Sequence, residues 1–142
     1  MQRWREYGLP GGWTVLAGRT EADNDYLSLE HAHPKDWWFH AHGCPGSHVL
    51  LRRRDDAEPD RATIEAAAAI AAWHSKARAG GVVPVSCTLA GNVSKPKGAD
   101  PGTVTIRKER TLKVRPALPA GAAAEADEAP KRAPLPAGRR QR

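Results

Sequence analysis

The stretch from 61 to 79 constrains the fold most, because its start, stop and apolar face all point to one long helix. Asp60 is a good N-cap, Gly80-Gly81 supplies a stop, and Lys76 and Arg78 fall in the last turn, where cations suit the helix dipole. Ile64, Ala67, Ala68, Ala71, Ala72 and Ser75 recur at i, i+3, i+4 and i+7 spacing and form a face of small side chains. Such a face lets a helix lie close on a sheet. A long Ala-rich helix at about 61–79, packed on strands, is therefore predicted.

The strands come from short runs on either side of it. Residues 13–17 read as a strand, entered from Pro10-Gly11-Gly12 and left at Gly18. Asn24 is placed to cap a short helix near 25–31, which Pro34 stops. Residues 37–41 and 48–52 are two strand-like runs separated by Gly43, Pro45 and Gly46. Residues 82–89 carry Val83, Val85 and Cys87 on one face, and 103–107 with 111–115 suggest a hairpin turning at 108–110. The predicted order, β-α-β-β-α-β-β-β, implies an α+β fold with a mixed or antiparallel sheet.

The 142 residues amount to a single compact domain. From residue 119 the chain is Ala, Pro, Gly and charge, with Leu135 as its one large apolar side chain. Such a segment buries too little surface to offset its ordering entropy. The expectation is a domain at 1–118 followed by a disordered tail at 119–142.

The net charge of +6 is unevenly spread. Residues 1–73 carry 8 Lys and Arg against 11 Asp and Glu, whereas 74–118 carry 9 against Asp100 and Glu109 alone. A basic block confined to one part of a domain is the electrostatic footprint of a polyanion binder, although a solvated basic face has the same composition. Cys44 and Cys87 have no paired spacing, nothing resembles a signal peptide, and no window approaches the ~18 apolar residues of a membrane span. A cytosolic protein with reduced thiols and no membrane partner is expected.

Residues 36–48 gather His40, His42, Cys44, Ser47 and His48 beside Trp37, Trp38 and Phe39. On a strand, His40, His42 and Cys44 share a face and suit zinc, yet no Cys-x-x-Cys or His-Glu-x-x-His signature accompanies them. Ser47 and His48 are strand neighbours that point apart, which disfavours a nucleophile–base pair. Aromatic faces next to the Arg52-Arg53-Arg54 run suit RNA, whose bases stack and whose phosphates need charge. A non-enzymatic RNA binder without cofactor is the leading expectation. The alternative is a metal-dependent hydrolase or nuclease, or a tRNA-modification component, built on the His/Cys cluster at 40–48.

Several ordered blocks sharpen this. Gly18-Arg19-Thr20, Asn24-Asp25-Tyr26-Leu27, Asp36-Trp37-Trp38-Phe39-His40-Ala41 and Pro45-Gly46-Ser47-His48-Val49 are followed by Ala71-Ala72-Trp73-His74-Ser75-Lys76 and Val93-Ser94-Lys95-Pro96-Lys97-Gly98. Over nearly all of 8–116 the chain resembles the NFACT-R domain, the RNA-binding module at the C-terminal end of the NFACT ribosome-associated quality-control proteins. The resemblance implies binding to tRNA and the large ribosomal subunit. It marks Arg19, Asn24, Asp25, Asp36, His40, Ser47, His48, Lys95 and Lys97 as motif residues, to which Arg52, Arg107 and Lys113 are added as phosphate contacts. Ser94 stands where the family typically has another lysine and Thr20 where it often has asparagine, which implies fewer phosphate contacts. The chain begins almost at the module, so a stand-alone member is expected, serving ribosome rescue, RNA processing or tRNA modification.

Overall fold

The computed structural model describes residues 2–55 and 57–120. The expected disordered tail at 119–142 therefore lies, from 121 onward, outside the described residues. Six strands form one antiparallel sheet: β1 (Trp4–Leu9), β2 (Trp13–Gly18), β3 (Trp37–Ala41), β4 (Val49–Leu51), β5 (Val83–Leu89) and β8 (Arg110–Val114). Their spatial order is β1-β2-β4-β3-β5-β8. A two-stranded arm, β6 (Val93–Ser94) with β7 (Thr105–Ile106), stands apart from it. The α+β class holds, and the sheet is antiparallel throughout.

Alternation along each strand divides two apolar layers. Val15, Phe39, Val49, Leu51, Val85 and Cys87 point to one face and pack against Ala67, Ala68, Ile70, Ala71 and Ala72 of helix α2 (Arg61–Trp73). Leu16, Trp38 and Leu50 point to the other face, where Leu27, Ala90, Val93 and Ile106 cover them. Leu27 comes from a helical segment made of α1 (Glu21–Asp25) and a π-helical continuation (Tyr26–His31). The first hairpin turns through Gly11 and Gly12, both with positive φ (+91° and +84°), a conformation that side chains disfavour.

Helix α2 is shorter than the 61–79 predicted from its composition. Asp60 caps it as expected, accepting from the Thr63 amide at 2.9 Å, but it ends at Trp73 after 13 residues. The backbone beyond finds other partners: the Ser47 amide donates to the His74 carbonyl and the Lys76 amide to the Pro45 carbonyl, each at 2.9 Å. Ser75 Oγ donates to the Ala72 carbonyl at 2.7 Å and accepts from the Ala77 amide at 3.1 Å. A Cβ on Gly46 would lie 2.9 Å from Ser75 Cβ, so glycine permits this close crossing. Tertiary hydrogen bonds override helix propensity here.

Three further expectations are corrected. The short helical segment begins at Glu21, capped by Thr20 Oγ1 rather than by Asn24, whose side chain is turned inward to another task. The 103–107/111–115 hairpin does not form: β7 pairs with β6 and β8 pairs with β5. Ile106 packs into one apolar layer and Leu112 and Val114 into the other, so the two segments serve opposite faces of the sheet. Strand β1 was missed because Arg5 and Glu6 interrupt the apolar positions Trp4, Tyr7 and Leu9.

The close helix–sheet packing is testable. Ala71→Leu, at a fully buried site on α2, should lower stability by roughly 2 kcal/mol through overpacking, whereas the exposed Ala62→Leu should change it by less than about 0.5 kcal/mol. Urea titrations that show equal shifts for the two would contradict the packing.

Candidate nucleic-acid interface

Most of the motif residues meet at one corner of the molecule, and most of them face inward. Asn24 is buried; its Oδ1 accepts from the His48 amide at 3.1 Å, and its Nδ2 lies 3.5 Å from the Gly46 carbonyl. Ser47 Oγ donates to the Gly18 carbonyl at 2.7 Å, and the Gly18 amide donates to the His48 carbonyl at 3.0 Å. These bonds tie the start of β4 to the end of β2 and to α1. A Cβ on Gly18 would fall 2.1 Å from Asn24 Oδ1, so only glycine fits.

His48 and His40 lie beneath this seam. Trp38 Nε1 donates to Ser28 Oγ at 2.9 Å, and Ser28 Oγ lies 2.8 Å from His48 Nδ1. The two imidazoles meet edge to face with centroids 5.3 Å apart. Burial is the main reason that His40 drops to about 4; a hydrogen bond to the Gly46 backbone opposes the shift and the charge of His42 adds to it. His48 is also held well below the ordinary histidine range, again first by burial and then by His40, against hydrogen bonds with the Gly102 and Asn24 backbone. Both rings are therefore neutral at physiological pH.

Asp25 and Lys95 fasten the neighbouring loop. Asp25 Oδ1 accepts from the Gly102 amide at 3.0 Å, and Oδ2 pairs with Lys95 Nζ at 3.2 Å. Lys95 Nζ also donates to the carbonyls of Asp100 (2.6 Å) and Thr103 (3.1 Å), so its three protons are committed within the fold. At the opposite end of β3, the fully buried Asp36 accepts from the amides of His33 (2.9 Å) and Arg53 (2.7 Å) and pairs with Arg52 Nε at 3.2 Å. Arg19 is half-buried and its amide donates to the Arg3 carbonyl.

Of the twelve residues expected to meet RNA, Lys97, Arg107 and Lys113 are exposed. Arg107 leads towards β8, the edge strand of the sheet, where Lys108, Arg110 and Arg115 are exposed as well. Lys113 pairs in register with Pro84, whose carbonyl accepts from the amide of the exposed His42, so His42 and Lys113 flank β5 from either side. Sequence reasoning passed over Lys108, Arg110 and Arg115, although the basic block at 74–118 contained the signal.

The His, Cys and Ser side chains at 40–48 do not gather at one point. His40 faces the second apolar layer, while Cys44, beyond the turn at Gly43, packs against the first. Among the described residues, no three His, Cys, Asp or Glu side chains are grouped to hold a metal ion. Ser47 bonds to a carbonyl and His48 to Ser28, so they do not form a nucleophile–base pair. Burial raises the Cys87 thiol to about 11, which keeps it protonated at neutral pH. No helix among the described residues is long and apolar enough to cross a membrane.

Two measurements test this corner. Gly18→Ala should cost roughly 2–3 kcal/mol, because the added methyl displaces Asn24 and leaves the His48 amide without its acceptor. Because His40 is neutral in the fold, the unfolded chain binds an extra proton below pH 6.5. Its contribution is therefore present above that pH and lost as pH falls towards 4, a decrease of about 3 kcal/mol. Urea midpoints measured between these limits should fall more steeply for the wild type than for His40→Gln, and parallel slopes would contradict the buried neutral ring.

The geometry finds its match among known proteins. The family model for the NFACT protein RNA binding domain matches residues 4–108. The chain is 43% identical over 110 residues to Rqc2 homolog RqcH of Bacillus subtilis, covering 78% of this chain and 19% of that protein. Against Rqc2 homolog RqcH of Streptococcus suis the identity is 39% over 112 residues, covering 79% and 20%. The chain thus spans about a fifth of the length of these curated relatives. In solved structures it is similar to the C-terminal part of the fibronectin/fibrinogen-binding protein from Streptococcus suis, with a TM-score of 0.76 and 36% identity over 82% of this chain and 47% of that one. The chain belongs to the family of NFACT protein RNA binding domains.

Proposed function

We propose that this domain binds RNA through its basic β8 edge, taking tRNA and the large ribosomal subunit as partners in ribosome-associated quality control. The observation that carries the reading is the exposed cation series Arg107, Lys108, Arg110, Lys113 and Arg115: Arg110 and Lys113 lie on the edge strand β8, the other three flank it, and Glu109 is the one acidic residue among them. Lys97, on the loop between β6 and β7, adds a further exposed cation. Spaced cations along an edge suit a phosphate backbone, whose recognition is mostly electrostatic. The same charges keep an edge strand from pairing with another chain. Membership of an RNA-binding family favours the first role.

In this reading the motif residues divide by task. Lys97, Arg107 and Lys113 meet phosphates. Asn24, Asp25, Asp36, His40, Ser47, His48 and Lys95 act as positioning residues that hold the loops and strand ends in place. The half-buried Arg52 and Arg19 support the same scaffold. No reaction is assigned to the domain.

Replacing Lys97, Arg107 and Lys113 together by alanine should weaken tRNA binding and flatten the slope of log K against log salt by about 1 for each phosphate that is no longer neutralised. Thermal unfolding should stay unchanged, since these side chains are exposed. Unaltered affinity and salt slope would remove the β8 edge from the interface. Crosslinking in cells with sequencing of the bound RNA should enrich tRNA and large-subunit rRNA; a profile without them would sink the choice of partners.

A further inference from the structure

Where β2 and β3 begin and β4 and β5 end, a cleft of about 360 Å³ opens beside the strand ends. Trp13 and Trp37 line it together with Lys35, Arg53, Asp55 and Glu58. It lies away from the histidine corner, because Trp13 and Trp37 belong to the apolar layer on the α2 side of the sheet. The Arg54 guanidinium lies 5.4 Å from the Trp13 ring centroid, and that of Arg110 lies 5.8 Å from the Trp37 ring centroid. Arg110 stands on the β8 edge, so the cleft adjoins the proposed phosphate track.

The lining has the chemistry of a nucleotide. The partly exposed Trp37 indole can stack on a base, Lys35 and Arg53 attract phosphate, and the carboxylates of Asp55 and Glu58 accept from the amino and imino groups of a base edge. The cleft is also preorganised. The buried Asp36 carboxylate holds the Arg53 amide at 2.7 Å and Arg52 Nε at 3.2 Å, which anchors the chain as it leaves β4. Its volume is at the small end of ligand pockets, enough for one nucleotide.

We propose that this cleft receives a single unpaired nucleotide of the bound RNA, with its base stacked on Trp37. The proposal rests on the RNA-binding reading and adds to it a preference for RNA with unstacked bases over continuous duplex. Arg52, half-buried against Asp36, serves here to shape the wall.

The test compares an unstructured single-stranded RNA oligonucleotide with a blunt RNA duplex on the full chain. Trp37→Ala should weaken single-strand binding about ten-fold, the effect of removing one stacked base, and leave duplex binding unchanged. Trp37→Phe, which keeps a stacking face, should recover most of the affinity. Arg53→Glu, at an exposed position, should show the same selective weakening, which keeps the test open if Trp37→Ala fails to fold. Equal weakening on both RNAs, or none on either, would overturn the cleft while leaving the β8 edge intact. A wild-type chain that binds neither RNA would overturn the RNA-binding reading and the cleft together.

Discussion

The hydrogen bond from the His48 amide to Asn24 Oδ1, possible only because Gly18 has no Cβ, joins segments that lie far apart in the chain. It brings α1 against the end of β2 and the start of β4. His48 is thereby set beneath Ser28 and Trp38, and its ring meets the Gly102 loop that Asp25 and Lys95 fasten. Strand β4 has only three residues, too short to hold its own register, yet it lies between β2 and β3. The corner supplies the register that strand length cannot.

Burying polar side chains this densely is costly unless each finds a partner. At this corner and at the start of β3, three of them do: Asp36 accepts two amides and an arginine, Lys95 commits three protons, and Asn24 bonds the backbone at its amide oxygen. The two histidines meet the same demand by staying neutral, since an imidazolium would lose its hydration without a carboxylate beside it. A buried network of this kind specifies one arrangement of loops, and the surface outside inherits that definition.

Much of the fold was legible before the structure. The runs read as strands at 13–17, 37–41, 48–52 and 82–89 lie where β2, β3, β4 and β5 form, and the α2 start follows from Asp60. The α2 end did not, because Ser75, Lys76 and Ala77 favour helix locally and are captured by the Pro45–Gly46–Ser47 segment, which is remote in sequence. The β7–β8 hairpin looked sound because its turn is short and polar, yet Ile106 and Leu112 belong to different apolar layers. The site shows the same division. Asn24, His40 and His48 stood out as polar residues in a motif, and polarity alone does not separate a ligand contact from a buried hydrogen bond.

The sequence by itself determined the α+β class, the helix that packs on the sheet, the basic C-terminal block of the domain and the family. Each of these depends on local spacing, charge or motif order, and a linear string carries all three. Only the tertiary structure decided which motif residues face inward, that His40, His42 and Cys44 do not converge, and that Trp13 and Trp37 share a cleft with Lys35 and Arg53. Those outcomes depend on strand order and on which face each side chain takes. Strand order is set by contacts between residues far apart in the chain, with a three-residue strand held in place by a glycine and an asparagine.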